Sequence, residues 1–321
     1  MNPGGLALFV ARRLAFAVPL LLLISFGVFA LIHLAPGDAA RALLGARPAS
    51  PATIAAIREA YHLDDPFLVQ YGEWLWQVLQ GDLGRSIRGS QPVAQMIGDR
   101  LPLTAWLTLY GTILVIGLGI PLGALAAARR GGALDRFVVM TSVFGVSSPA
   151  FVTGIILLYL FGVVLGWFPT FGAGRGFLDQ LHHLVLPALA LALSIMAIVI
   201  KVTRASMIEV LDKDYVGFAR ARGLAPARVF FVYVLRNALI PVVTAAGIII
   251  IALVGGAIYV ETTFSLPGIA TLMVEAVQKR DIPLIQGTTL FFAAFVVLIN
   301  LGIDVLYVLI DPRVRLGQEG A

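Results

Sequence analysis

Few residues in this chain combine the types and spacing that chemistry requires. Asn300 and Asp304 stand four apart in a long apolar run, so on a helix they share one face. A carboxylate inside a membrane is costly and usually turns to the protein interior, where it can line a polar path or relay protons. Asp304 is also only seven residues from Asp311, roughly 10 Å along a helix, and that position near the end of the run suits a structural pair better. His182-His183 invites a metal reading. Adjacent histidines point to different sides of a helix, however, and with no Cys or carboxylate read at ligand spacing beside them, interfacial or capping roles fit better, as they do for His33. The chain has no cysteine, which excludes disulfides, thiolate metal sites and a cysteine nucleophile. Its only lysines, Lys201, Lys213 and Lys279, are followed by Val, Asp and Arg, so no phosphate-binding loop of the G-x-x-x-x-G-K-[ST] type exists. The apolar runs hold no Ser/His or paired-aspartate constellation. The expectation is a chain that is no enzyme, binds no metal or cofactor, and leaves any ATP hydrolysis to a partner.

The elements behind these residues are mostly apolar. Hydrophobic residues make up 59% and charged residues 13% of the sequence, against roughly 25% charged in an ordinary soluble domain. Six apolar runs reach the length of about twenty residues that a bilayer crossing takes. They lie near 14–34, 104–128, 137–165, 184–200, 239–260 and 287–310. The first follows Arg12 and Arg13 and exceeds the about 7–15 residues of a signal-peptide core, so it reads as a retained span. Ser147-Ser148-Pro149 interrupts the third, where a kink or unwound turn is expected. Gly119 with Gly123, and the pair Gly255-Gly256, permit close helix approach; Gly255 and Gly256 are also candidates for a translocation path or gate, with Asn300 and Asp304.

Charge orients the runs. With the N-terminus inside, segments 1–13, 129–136, 201–238 and 311–321 hold fourteen Lys and Arg, and the longer outer segments hold nine. That bias places both termini in the cytoplasm. It also accounts for the net charge of +5 without nucleic acid, since the cations form no patch with interleaved aromatics. The layout is then a first span over 1–34, an outer loop or cap over 35–103, a five-helix core over 104–310 and a tail over 311–321. The cap carries a helical pattern from Pro51 to Tyr61 and an aromatic stretch with Trp74 and Trp76, which read as interfacial anchors. Pro267-Gly268 precedes an amphipathic run from Ile269 to Val277, expected to lie at the outer interface.

One polar stretch, 201–241, stands out among the apolar runs, with seven Lys and Arg against three acids. Asp214 can cap a short helix, Gly223 can end it and Pro226 can start a second. Arg220 and Arg222 fall in the last turn of the first, where cations suit the helix dipole. A short helix, a glycine stop and a second helix feeding a membrane span make a part on which another protein could push.

The chain resembles the permease subunits of dipeptide/oligopeptide/nickel ABC importers, the subunit with a large outer loop after its first span. The resemblance is carried by Arg12-Arg13-Leu14, Leu34-Ala35-Pro36-Gly37-Asp38, Gln70-Tyr71 with Trp74-Leu75, Gly81-Asp82-Leu83-Gly84-Arg85-Ser86 and Arg100-Leu101-Pro102. It continues through Ala219-Arg220-Ala221-Arg222-Gly223-Leu224, Leu235-Arg236-Asn237-Ala238-Leu239-Ile240-Pro241, Phe264 with Pro267-Gly268, Arg280-Asp281 with Gln286-Gly287, and Asn300-Leu301 to Asp311-Pro312-Arg313. It covers nearly the whole length. It implies an all-α, six-span, type I (MetI-like) permease fold in the bacterial inner membrane. It also implies a second homologous permease, two cytoplasmic ATPase domains carrying ATP and magnesium, and an extracytoplasmic solute-binding protein. The region 217–223 aligns with the coupling helix that seats in an ATPase cleft, and Tyr215, Phe218, Ala219, Arg220, Arg222, Gly223 and Leu224 are the docking candidates. There are two departures from the family pattern: Gly217-Phe218 replaces Arg-Thr, and Tyr233 replaces a His. Peptide is the leading solute, with nickel chelates or another small solute as alternatives. An ion-gradient-driven transporter is the rival class; it would want a deeper carboxylate than Asp304 and often inverted repeats, of which the sequence shows none.

Overall fold

The computed structural model describes residues 3–34, 50–60 and 63–310. Among these the regular elements are all helices, joined by loops, with an isolated antiparallel bridge between Arg85 and Pro92. It divides into two compact units, Met1–Leu103 with Pro267–Leu301, and Thr104–Leu266 with Gly302–Ala321.

The first unit opens with α1 (Pro3–Leu34), followed by α2 (Pro51–Ala60) and α3 (Phe67–Leu79). An aromatic cluster joins α3 to α1: Phe29 packs against Phe67, Tyr71 and Trp74 with ring centroids 5.4, 5.6 and 5.3 Å away. The Tyr71 hydroxyl lies 2.7 Å from Ser25 Oγ. Gln70 Nε2 donates to the Leu63 and Asp65 carbonyls and ties down the turn that precedes α3. Trp74 thus packs on protein, whereas Trp76 is exposed. The following loop, 80–92, closes on itself. Gly81 and Gly84 take positive φ, and Asp82 Oδ1 accepts from the Gly84 N–H at 2.9 Å. The loop delivers the chain to α4 (Val93–Ala128), which continues into the second unit.

The return of the chain to the first unit brings α11 (Ile269–Lys279) and α12 (Ile282–Ile310). The amphipathic face of α11 turns into protein, with Ile269, Leu272 and Ala276 buried in a core shared with Val93, Ile97 and Leu284. The helix covers this core with its apolar stripe, which meets a matching one. Asp281 fixes the junction. Its carboxylate accepts from Ser86 Oγ at 2.6 Å, from the Ile87 and Arg88 N–H groups at 3.3 Å, and from the Leu284 N–H at 3.4 Å.

The second unit is wound around α7 (Phe177–Leu211), whose Leu184, Leu191, Met196 and Ile200 are buried. Packed on it are α5 (Ala133–Ser147), α6 (Ala150–Leu157, continued by a π-helical stretch, Leu158–Val164) and α10 (Arg236–Thr263). Gly119 and Gly123 let α4 approach α7 closely: a Cβ on Gly123 would stand 2.7 Å from the Ile200 carbonyl.

Among the described residues five helices are long and apolar enough to cross a membrane, where the sequence suggests six. The fifth run is represented by Pro226–Val243, with Gly247–Thr263 a shorter apolar helix, and the third run is in none of the five. Pro149 follows Ser148 in extended backbone, with φ −55° and ψ 143°, and splits the run into α5 and α6. A proline at that point offers no N–H to continue the ladder.

Candidate docking surface

The polar stretch folds as the expected short helix, stop and second helix. α8 (Asp214–Ala221) is followed by a single turn, α9 (Pro226–Arg228), and a π-helical stretch, Val229–Leu235, which runs into α10 without a break. Asp214 is the first residue of α8; the cap position belongs to Lys213, and no side chain bonds to the free N–H groups there. Asp214 therefore acts through its charge at the helix start. At the other end Gly223 has φ +74°, its N–H donates to the Arg220 carbonyl at 2.9 Å, and the Leu224 N–H donates to Ala219 at 3.3 Å. This paired closure needs a residue that tolerates the left-handed region, which glycine supplies.

α8 has two unlike faces. Val216 and Ala219, at 0% and 4% exposure, sit in a core with Met207 and Val210 of α7, Val229 and Val234 of the π-helical stretch, Ala238 of α10 and Ala124 and Ala127 of α4; Leu224 packs against the same core. The other face carries Tyr215 and Phe218, 42% and 70% exposed, with Arg220 and Arg222 also exposed. Among the described residues no acidic side chain pairs with Arg220 or Arg222. Of the seven docking candidates, four therefore lie on the open face; Ala219 and Leu224 hold the helix from below and Gly223 shapes its end. A Cβ at Gly217 would meet open space, so the departure from the family pattern leaves the open face less basic and the packing unchanged.

Ion pairs join the neighbouring helices of the same unit. Arg204 Nε and Nη2 donate to the two carboxylate oxygens of Asp135 at 2.5 and 2.7 Å, and the Gly131 N–H adds a third bond at 2.9 Å. The Arg204 hydrogen bonds, and then that of Gly131, lower the Asp135 pKa to about 2. Arg130 pairs with Asp212 at 3.2 Å, with both side chains exposed.

The remaining sequence candidates lie outside α8. Asn300 is exposed and Asp304 half-buried on α12. Gly255 faces open space, while a Cβ on Gly256 would meet Leu191 Cδ1 at 2.8 Å, so Gly256 serves helix packing. The histidines have local partners. His183 Nδ1 lies 2.9 Å from the Asp179 carbonyl and 3.3 Å from its carboxylate, the acid four residues ahead that a reading of the pair alone passes over. His182 Nε2 lies 3.3 Å from the Trp167 carbonyl.

Residues 119–316 match the family of binding-protein-dependent transport system inner membrane components, and residues 6–108 match the N-terminal region of such membrane components. A putative peptide transport system permease protein of Brucella abortus is 42% identical over 310 residues, covering 95% of this chain and 98% of the relative. A glutathione transport system permease protein of Salmonella typhimurium is 40% identical over 307 residues, covering 96% and 98%. Among solved structures, the fold is similar to a chain of the MetNI methionine ABC transporter in an inward-facing conformation, with TM-score 0.56, 18% identity, and coverage of 69% of this chain and 99% of that one. The chain belongs to the family of inner-membrane components of binding-protein-dependent transport systems: it is a multi-pass permease.

Proposed function

We propose that this permease forms, with a second homologous permease, the path by which an ATP-driven importer carries di- or oligopeptides into a bacterial cell. Two ATPase domains supply the energy and an extracytoplasmic binding protein delivers the solute. The peptide class is supported by the names of relatives matched over 98% of their length. The chain itself does no chemistry. α5 and α6 with its π-helical extension together make the sixth crossing, bent at Ser148-Pro149, and both termini lie in the cytoplasm, as the distribution of Lys and Arg favours.

The observation that carries the reading is the two-faced α8. Its open side offers aromatic rings and arginines, the residue types that anchor protein interfaces. Its closed side shares one core with α7 and α10. A partner seated on Tyr215 and Phe218 therefore moves α8 together with the helix that enters the next crossing. ATP binding draws the two ATPases together, and the seated helices change which side of the path is open. Phe218→Asp should leave the chain inserted at normal abundance while lowering ATPase association and peptide uptake by at least about tenfold. Unchanged uptake in that variant would sink the proposal.

A further inference from the structure

The loop between α6 and α7 displays its large apolar residues while its polar groups tie it down. Residues 165–176 are irregular backbone, yet they are fastened at both ends. The Leu165 N–H donates to the Leu160 carbonyl at 3.0 Å and the Trp167 N–H to that of Phe161 at 2.9 Å, so the chain turns back on the π-helical stretch Leu158–Val164. Thr170 closes on Gly162, where a Cβ would stand 2.7 Å from Thr170 Cγ2. At the far end the Arg175 N–H donates to the Asp179 carboxylate at 2.6 Å. Held in this way, Phe171 and Leu178 are 74% and 79% exposed, and Trp167 and Phe177 also lie open. Arg175 is the only charged residue between 165 and 178. Large apolar residues exposed together mark a surface that something covers. This one continues an apolar face, since Ile155, Ile156, Tyr159, Leu160, Val163 and Val164 of α6 and its extension are all exposed.

We propose that residues 165–178 are a lipid-binding anchor, with Trp167, Phe171, Phe177 and Leu178 dipped into the bilayer. Two physical constraints set the depth. Irregular backbone open to lipid cannot lie in the hydrocarbon layer, where its N–H and C=O groups find no partner. The headgroup layer accepts such backbone, and aromatic rings concentrate there because one end of the ring stays wet while the body is buried. Arg175 suits the same depth, with its charge among the headgroups. The proposal rests on the reading that α5 and α6 with its extension complete a sixth crossing.

The test uses the assembled importer in phospholipid vesicles, with partner subunits freed of cysteine. The chain has no cysteine of its own, so Phe171→Cys, Leu178→Cys and Ile156→Cys each carry one spin label. Dissolved oxygen concentrates in lipid and chromium oxalate stays in water; power saturation reads which of them reaches the label. At Phe171 and Leu178 the label should be relaxed by oxygen and should lose most of its access to chromium oxalate, relative to the same label free in buffer. Chromium oxalate reaching either site freely, while Ile156 stays shielded from it, overturns the anchor and leaves the crossing intact. Shielding of either site from both relaxants, the sign of a protein cover, overturns the anchor as well. Chromium oxalate reaching Ile156 sinks the crossing, and the anchor with it.

Discussion

Asp135, at the start of α5, receives two N–H groups from Arg204 on α7, 69 residues away in sequence. Asp135 is 3% exposed, so the charge depends on that partner. Arg204→Leu should destabilise the protein by about 2 kcal/mol near neutral pH, read as a fall in Tm. The pH dependence has a definite sign. The folded-state pKa lies below the ordinary 3.8, at about 2. The stabilisation is therefore complete above the ordinary value and is lost as pH falls through about 2. The Tm gap between wild type and variant should narrow on acidification below about pH 4; a gap independent of pH would contradict the assignment.

Asp281 makes a second prediction, because it answers three groups of the loop 86–88 at once. Asp281→Ala leaves the Ile87 and Arg88 N–H groups without that acceptor and should cost about 3 kcal/mol. Ser86→Ala removes the bond to Asp281 and the one that Ser86 Oγ accepts from the Gly89 N–H, and should cost about 2 kcal/mol. Limited proteolysis within 85–91 should accelerate in that order, and equal rates in the two variants would argue against Asp281 as the post that holds the loop.

Three glycines separate packing from path. Gly123→Ala drives a methyl against the backbone of α7 and should cost about 1–3 kcal/mol. Gly256→Ala meets only a flexible leucine end and should cost less, and Gly255→Ala, facing open space, should leave stability unchanged. Thermal stability of the three purified variants gives the ranking; a destabilised Gly255→Ala would overturn it.

Much of this arrangement is legible in the sequence, for physical reasons. Polar punctuation among apolar runs locates α8, since Gly223 and Pro226 impose a stop and a start whatever surrounds them. The inward face of α8 is less legible: Ala219 lies beside Arg220, and only the position of the core beneath decides which residues close. The π-helical joint escapes a helical pattern search altogether, because Val229 and Val234 are out of step with an α-period and meet only when the winding changes. The third apolar run is not one continuous helix, because at Pro149 hydropathy runs on but hydrogen bonding does not. Motifs such as Gly81–Ser86 and Arg280-Asp281 are visible as words, yet the bond between Ser86 and Asp281 spans 195 residues and no local rule announces it.

The sequence contains no cysteine, so Phe218→Cys places a unique thiol on the open face of α8. Cross-linking from that thiol in the assembled importer tests the account most directly. The account predicts adducts with the ATPase subunits and protection of the thiol from cytoplasmic reagents when they are bound. Labelling from the outer side of the membrane, or a thiol that meets only lipid and water with the ATPases in place, would contradict it.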